Sequence, residues 1–282
     1  MDDILDKGLI EPQVLALWLE GNGPAFRIVD ASYPGPGMTG DPVGIYMRKR
    51  IGDAVFFDVD VIADHASDIP HMLPKPDYFA DAVGALGIGD DDLVVVYDQT
   101  GLTMAAARVW WMFRVFGHAR VCVLNGGLPF WEKLQLPVTK GRPQPPEQKT
   151  FTPRFRSELV ADEASLFEPH SALIIDARSP ERYAGQVPEP RPGLRRGHIP
   201  GSCNIPFTSL VNSSGRLADE ATLKEMLGLY NDGNKIVTYC GSGITACVPA
   251  LAFFSIGMRD VAVYDGSWAE WGRETSGMPV AG

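Results

Sequence analysis

The sequence repeats itself, and this internal duplication constrains the fold more than any other feature of the chain. An apolar run that ends at Asp98 aligns in sequence with a second run that ends at Cys240, 142 residues later. Solenoid repeats are about 20–50 residues long, so an interval of this size indicates two copies of a whole domain. Two further pairs of segments match on either side: 27–31 with 173–177, and 123–131 with 263–271.

Each copy alternates short strands rich in β-branched residues with segments of helical length. The strands are expected at 27–30, 93–97 and 121–124, and again at 173–176, 235–239 and 261–264. The helices are expected near 76–86, 103–117, 129–134, 219–229, 246–256 and 268–273. This alternation predicts an α/β fold in which each domain has a parallel sheet with helices on both faces.

A polar segment that contains Pro143, Pro145 and Pro146 separates the two copies. Its composition is typical of a linker between domains. The sequence therefore predicts a first domain at 1–140, a linker at 141–156 and a second domain at 157–282.

Composition narrows the class of protein further. With 282 residues, 45% of them hydrophobic, the chain can build two cores, and its net charge of −10 disfavours nucleic acid and anionic membranes as partners. The N-terminus does not resemble a signal peptide, and no apolar run reaches the length of about 18 residues that a membrane span needs. The cysteines, which are Cys122, Cys203, Cys240 and Cys247, show neither a CxxC pair nor metal-ligand spacing. We therefore expect a reduced, cytoplasmic compartment.

Cys240 stands where a buried strand ends and a Gly-Ser-Gly-Ile-Thr loop leads into an apolar helix. Ligands of parallel sheets collect at the carboxyl ends of the strands. Successive loop amides and a helix N-terminus form an anion site and stabilise a thiolate there. Glycines at 241 and 243 would let an anionic substrate approach the backbone closely. The pattern thus predicts a nucleophilic cysteine, whereas the other three cysteines are expected to be structural.

Four segments together resemble the rhodanese superfamily in its tandem-domain form, and within it the members that use 3-mercaptopyruvate. They are Cys-Gly-Ser-Gly-Ile-Thr-Ala at 240–246, Gly-His-Ile-Pro-Gly at 197–201, Tyr-Asp-Gly-Ser-Trp at 264–268 and Arg-Val-Trp-Trp at 108–111. The resemblance implies a catalytic second domain and a first domain that is a cysteine-less copy. Asp98, which stands in the place of Cys240, fits that division.

The resemblance also implies an activity. Cys240 would take sulfur from 3-mercaptopyruvate as a persulfide, release pyruvate, and pass the sulfur to a small thiol, thioredoxin or cyanide. Relatives that use thiosulfate carry basic residues after the cysteine, whereas Gly241 and Ser242 are neutral here. A thiosulfate sulfurtransferase with the same persulfide chemistry remains the alternative. No metal or organic cofactor is implied, and a monomer would be sufficient.

The resemblance assigns roles to individual side chains as well. Arg182 and Arg191 would bind the substrate carboxylate, because a guanidinium matches a carboxylate with two parallel hydrogen bonds. Ser242 would handle a proton of the substrate, poised by His71 and Asp60 of the first domain in a relay like those of acid–base triads. Loop amides would stabilise the thiolate and the persulfide, and the residues that supply them are Gly241, Gly243, Ile244 and Thr245.

Other classes of cysteine chemistry fit the sequence less well. Cysteine phosphatases and arsenate reductases need an arginine six positions after the cysteine, where this chain has Ala246. A thioredoxin-type oxidoreductase needs a second cysteine within the loop, and a non-catalytic binding module needs an unreactive Cys240. One departure from the family pattern concerns the first domain. Relatives often place an aromatic residue in the loop at 99–104, and this chain has none there.

Overall fold

The computed structural model describes residues 1–34, 40–101, 104–166, 172–228 and 235–282. The first domain contains a five-stranded parallel sheet with the strand order β1-β5-β4-β2-β3. Its strands are β1 (Leu9–Ile10), β2 (Phe26–Asp30), β3 (Val55–Phe56), β4 (Leu93–Tyr97) and β5 (Val121–Leu124). Its helices are α1 (Asp2–Lys7), α2 (Pro12–Leu19), α3 (Pro42–Arg48), α4 (Pro76–Ala85), α5 (Met104–Val115) and α6 (Gly127–Lys133).

The second domain repeats this topology in the order β6-β10-β9-β7-β8, again with all strands parallel. Its strands are β6 (Val160–Ala161), β7 (Ala172–Asp176), β8 (Cys203–Asn204), β9 (Lys235–Tyr239) and β10 (Val261–Tyr264). Its helices are α7 (Pro180–Tyr183), α8 (Glu220–Leu227), α9 (Cys247–Ser255) and α10 (Ser267–Trp271). The prediction of two parallel α/β domains in tandem is therefore confirmed.

The central strands lie within one residue of their predicted bounds, because buried parallel strands are continuous β-branched runs. The sheet edges are different. Strands β1, β3, β6 and β8 have two residues each, which is too short to produce a pattern. The helix expected at 129–134 begins earlier, at Gly127. Residues 103 and 229, at the ends of two predicted helices, lie outside the described residues.

The two domains share a hydrophobic core. Helices α5 and α9 pack against each other across the domain boundary, and every residue of both helices is buried. A helix that is buried on all sides belongs to the interior of a larger assembly, and here the second domain completes that interior. Trp110 of α5 meets Phe254 of α9 edge to face, with ring centroids 5.2 Å apart. Five tryptophans are buried in the two domains: Trp110, Trp111, Trp131, Trp268 and Trp271.

The segment expected to be the linker, 141–156, is described throughout and carries neither helix nor strand. It is nevertheless held against the first domain. The backbone N–H of Lys149 donates to Gly84 at 3.0 Å, and that of Arg154 donates to Phe116 at 2.9 Å. The connection is therefore anchored along its length. Within the described ranges, none of the helices combines the length and apolar character needed to cross a bilayer.

Candidate active site

Cys240 follows β9 directly and is 2% exposed. It lines a cavity of about 120 Å³ that both domains build. The second domain contributes Arg182, Arg191 and part of the loop that follows the cysteine. The first domain contributes Tyr33 and Met104. Four of the predicted loop residues line this cavity: Gly241, Ser242, Ile244 and Thr245.

The loop is held from behind by Ser267, at the start of α10. Its hydroxyl oxygen accepts the backbone N–H of Cys240 at 3.2 Å and that of Gly243 at 3.1 Å, and its own proton goes to the carbonyl of Tyr264. Gly243 has a φ of +77°, and a Cβ there would come within 2.7 Å of the Asp265 carbonyl. Gly243 therefore shapes the loop, whereas its neighbours face the cavity.

The remaining amides of the loop are left for a ligand. Among the residues that the structure describes, the N–H groups of Gly241, Ser242, Ile244 and Thr245 donate to no acceptor. Amides that are buried or partly buried are nearly always paired, so four unpaired ones within one short loop indicate a site for an anion. This arrangement is available to the thiolate of Cys240 and to negative charge on the substrate.

Arg108 of α5 reaches from the first domain to the back of the same loop. Its Nη1 donates to Asp265 Oδ1 at 2.6 Å and to the Gly243 carbonyl at 3.2 Å, and its Nη2 donates to the carbonyl of His71. Asp265 also accepts the backbone N–H of Leu73 at 2.7 Å. The ion pair is almost completely buried. The motif at 108–111 contains Arg108, but the sequence alone predicts no role for this side chain.

His71 is fixed by contacts on both ring nitrogens. Its Nδ1 lies 3.1 Å from Asp60 Oδ1, and its Nε2 lies 3.2 Å from both Tyr33 Oη and Arg191 Nη2. Because a guanidinium can only donate, Nε2 is the acceptor, and the ring proton is assigned to Nδ1, which faces Asp60. The hydrogen bond from His71 lowers the pKa of Asp60 despite partial burial, so this carboxylate stays ionised.

The expected relay of Ser242, His71 and Asp60 is assembled only in part. Asp60 and His71 are in contact. Ser242 is buried and lines the cavity, but within the described part of the chain its hydroxyl makes no hydrogen bond to His71. Tyr33 and Arg191 take that position on Nε2 instead. His71 also has a φ of +64°, a left-handed conformation that is unusual for a residue with a side chain.

Arg182 and Arg191 both line the cavity, yet their charges are balanced differently. Arg182 forms a salt bridge with Glu189, a carboxylate that also accepts from Arg178 at 2.9 Å. A Cβ at Gly241 would come within 3.0 Å of Arg182 Nη2, so this guanidinium lies against the loop. Arg191 makes no salt bridge among the described residues, and its contacts are with His71 and Tyr33, both uncharged partners. The positive charge of Arg191 therefore remains available to an anionic ligand.

The first-domain counterpart of the cysteine loop is occupied by its own side chain. Asp98 is buried, and its carboxylate accepts from the backbone N–H and the hydroxyl of Thr100, at 3.0 and 2.8 Å, and from the N–H of Ala106 at 3.2 Å. An internal carboxylate thus satisfies amides that an external anion would otherwise bind. This explains in physical terms how the first domain can keep the fold without a nucleophile.

The wall of the cavity contains an aromatic residue, although the loop at 99–104 has none. It is Tyr33, which follows β2, and its neighbour in the cavity wall from α5 is Met104. Leu102 and Thr103 of that loop lie outside the described residues. Nothing in the local sequence around Tyr33 distinguishes it from an ordinary loop tyrosine, because its role depends on where the second domain packs.

Comparison with known proteins agrees with this architecture. The sequence model of the rhodanese-like domain family matches residues 12–134 and 160–274 of this chain. A 3-mercaptopyruvate sulfurtransferase of Escherichia coli K12 is 41% identical over 264 residues, covering 91% of this chain and 92% of the relative. A thiosulfate sulfurtransferase of Cricetulus griseus is 39% identical over 280 residues, which cover 95% of this chain and 93% of the relative.

A solved structure shows the same fold over most of the chain. The crystal structure of SseA from Escherichia coli, described as a 3-mercaptopyruvate sulfotransferase with the rhodanese fold, superposes with a TM-score of 0.81 at 36% identity. The superposed region covers 92% of this chain and 98% of the SseA chain. The chain therefore belongs to the rhodanese family and is a sulfurtransferase enzyme with two rhodanese-like domains in tandem.

Proposed function

We propose that this enzyme takes sulfur from 3-mercaptopyruvate onto Cys240, releases pyruvate, and passes the sulfur to a thiol acceptor. The observation that carries the proposal is the cavity itself, in which the thiol of Cys240, unpaired loop amides and the guanidinium of Arg191 face one small space. A nucleophile, an anion site and a carboxylate-binding group are the three elements that this substrate requires.

In the first half-reaction the Cys240 thiolate attacks the sulfur of the substrate. The bond between that sulfur and C3 breaks, and its electron pair leaves as the enolate of pyruvate. The proton of the substrate thiol balances the proton that C3 gains, so that the persulfide remains as an anion on Cys240. The loop amides of Gly241, Ser242, Ile244 and Thr245 stabilise this negative charge.

The carboxylate of the substrate is bound by Arg191, with Arg182 beside it. His71, held by Asp60, accepts from Arg191 and fixes the direction of the guanidinium. Ser242 lies close enough to the cavity to contact the substrate thiol. These contacts support a positioning role for His71 and Asp60, in place of the proton relay that the family resemblance implied.

In the second half-reaction an acceptor thiolate attacks the outer sulfur and restores the Cys240 thiolate. A small thiol, thioredoxin or cyanide can serve as acceptor, and kinetics should be ping-pong because the sulfur is held covalently between the two steps. Thiosulfate is the second candidate donor, and the 39% identity to a thiosulfate sulfurtransferase supports it. The neutral Gly241 and Ser242 favour 3-mercaptopyruvate over this dianion.

The test compares kcat/KM for 3-mercaptopyruvate and for thiosulfate with the same acceptor. We expect 3-mercaptopyruvate to be preferred, Cys240→Ser to be inactive, and Cys203→Ser, a thiol control outside the cavity, to be active. Mass spectrometry without acceptor should find one added sulfur atom on the peptide that contains Cys240. Turnover by Cys240→Ser would refute the mechanism, and a preference for thiosulfate would refute the assignment of the donor.

A further inference from the structure

Tyr33 is a first-domain residue placed beside a second-domain nucleophile. Its ring is half-buried, lines the Cys240 cavity, and meets the ring of His71 edge to face with centroids 5.1 Å apart. Its hydroxyl lies 3.2 Å from His71 Nε2. The phenol group is therefore held in a defined position at the wall of the cavity, by contacts that do not involve Cys240.

The hydroxyl proton of Tyr33 is not fully used by the protein. His71 Nε2 has a single lone pair, because its ring proton is assigned to Nδ1, and two donors stand 3.2 Å from it: Tyr33 Oη and Arg191 Nη2. One lone pair cannot satisfy both donors at once, and Arg191 also has Tyr33 as a hydrogen-bond partner. When Arg191 occupies Nε2, the hydroxyl of Tyr33 is the donor in surplus. A surplus donor at the wall of a substrate cavity can serve an acceptor atom of the substrate.

The chemistry of the donor leaves one such atom without a partner. When the bond between C3 and sulfur breaks, negative charge develops on the keto oxygen as the enolate forms. The guanidinium of Arg191 is engaged by the carboxylate, and the loop amides surround the sulfur. Hydrogen-bond donors aimed at an oxygen where charge develops are among the largest contributions to catalysis.

The hydroxyl also keeps its proton under ordinary conditions. Partial burial raises the pKa of Tyr33, the nearby Asp60 carboxylate raises it further, and Arg191 opposes them. Tyr33 is therefore a donor at neutral pH. A phenylalanine in its place would keep the ring contact with His71 and lose the donor.

We propose that Tyr33 is a catalytic residue that donates a hydrogen bond to the keto oxygen of an α-keto thiol, and that this contact selects keto acids over thiosulfate as sulfur donors. The inference rests on the proposed function. The proton stays on Tyr33 throughout, so the bonds that form and break are those of the first half-reaction above. Thiosulfate has no carbonyl oxygen and gains nothing from enolate stabilisation.

The experiment measures kcat/KM with 3-mercaptopyruvate and with thiosulfate for wild type and Tyr33→Phe, using one acceptor. Tyr78→Phe is the matched control, because this exposed first-domain tyrosine donates to Val61 and lies outside the cavity. We expect Tyr33→Phe to lower kcat with 3-mercaptopyruvate on the order of a hundredfold, the cost of losing one such donor. The ratio of the two kcat/KM values should fall at least about tenfold, and it should not change in Tyr78→Phe.

A second measurement does not depend on turnover of thiosulfate. Oxalate presents a carboxylate and a second oxygen in the place of the enolate oxygen, whereas propionate presents only the carboxylate. Tyr33→Phe should weaken inhibition by oxalate at least about tenfold more than inhibition by propionate, with thermal unfolding unchanged from wild type.

These experiments distinguish a failure of the role of Tyr33 from a failure of the proposed function. An equal loss with both donors, equal weakening of both inhibitors, or no loss at all would overturn the role of Tyr33 and leave the proposed function standing. A wild-type enzyme that uses thiosulfate and does not use 3-mercaptopyruvate would overturn the proposed function together with this inference.

Discussion

Arg108 Nη1 lies 2.6 Å from Asp265 Oδ1, and the two side chains belong to different domains. This buried ion pair joins the domain that lacks the nucleophile to the strand end that supports the cysteine loop. The same guanidinium contacts the carbonyls of Gly243 and His71. One side chain therefore fixes the nucleophile loop relative to the first-domain wall of the cavity.

Removing this link should destabilise the fold and the site together. We expect Arg108→Met to lower the free energy of unfolding by about 3–5 kcal/mol, because it leaves Asp265 as an uncompensated buried charge. The double variant Arg108→Met with Asp265→Asn should recover part of that loss. Urea denaturation checks both, and a single variant that loses less than about 1 kcal/mol would contradict this role.

Ser267 should matter for the loop although it does not line the cavity. Ser267→Ala leaves the amides of Cys240 and Gly243 without their acceptor, at a cost of about 1–3 kcal/mol for each unsatisfied group. We expect lower stability and a fall in kcat with a smaller change in KM. Ser209→Ala, which removes an exposed hydroxyl bonded to Pro206, is the control. Similar kinetics for both variants would show that the hydrogen bonds from the loop amides to Ser267 are dispensable for catalysis.

The two cavity arginines should differ in their effect on substrate binding. Arg191→Met should raise KM for 3-mercaptopyruvate about 10- to 100-fold, since a hydrogen bond to a charged group contributes about 1.5–3 kcal/mol. Arg182→Met should have a smaller effect, because Arg182 is already paired with Glu189. Arg120→Met serves as an exposed control. A larger effect from Arg182 would reverse the assignment.

Glu270 provides a prediction about pH. Burial raises the pKa of this carboxyl, and the neighbouring Glu163 and Asp265 raise it further, against Tyr264 and Arg273. A raised pKa in the folded state makes ionised Glu270 destabilising above that pKa. Glu270→Gln should therefore be more stable than wild type at pH 7–8, as measured by urea unfolding.

The gain from Glu270→Gln should disappear as the pH falls below about 4, because the carboxyl is then protonated in both the folded and the unfolded chain. Glu274→Gln, on the exposed side of the same region, should show no such trend. A stability difference for Glu270→Gln that is independent of pH would refute this account.

The sequence was sufficient for the central strands of both sheets and for the loop around Cys240, because each of them is a continuous stretch of residues with a recognisable pattern. Strand β9, the glycines of the loop and helix α9 follow each other directly, so their order alone predicts a nucleophile at a strand end. The two-residue edge strands gave no pattern. Helix α7 begins at a proline and spans four residues, which is also too short for a periodic signal.

The rest of the site depends on packing between distant segments. Tyr33 lines the cavity, and Arg108 and His71 contact residues of the site, because the two domains pack against each other, and no local sequence pattern predicts that approach. The contact of His71 with Arg191 joins residues 120 positions apart. The family resemblance implied that His71 faces Ser242, whereas its Nε2 meets Arg191 and Tyr33.

The buried carboxylate of Asp98 has an evolutionary consequence. Since the Asp98 side chain occupies the loop that corresponds to the cysteine loop, the first domain has no second thiol nucleophile to preserve. Its residues form one wall of the Cys240 cavity. Mutations in the first half of the gene can therefore alter substrate preference and positioning while the thiol and its loop stay unchanged.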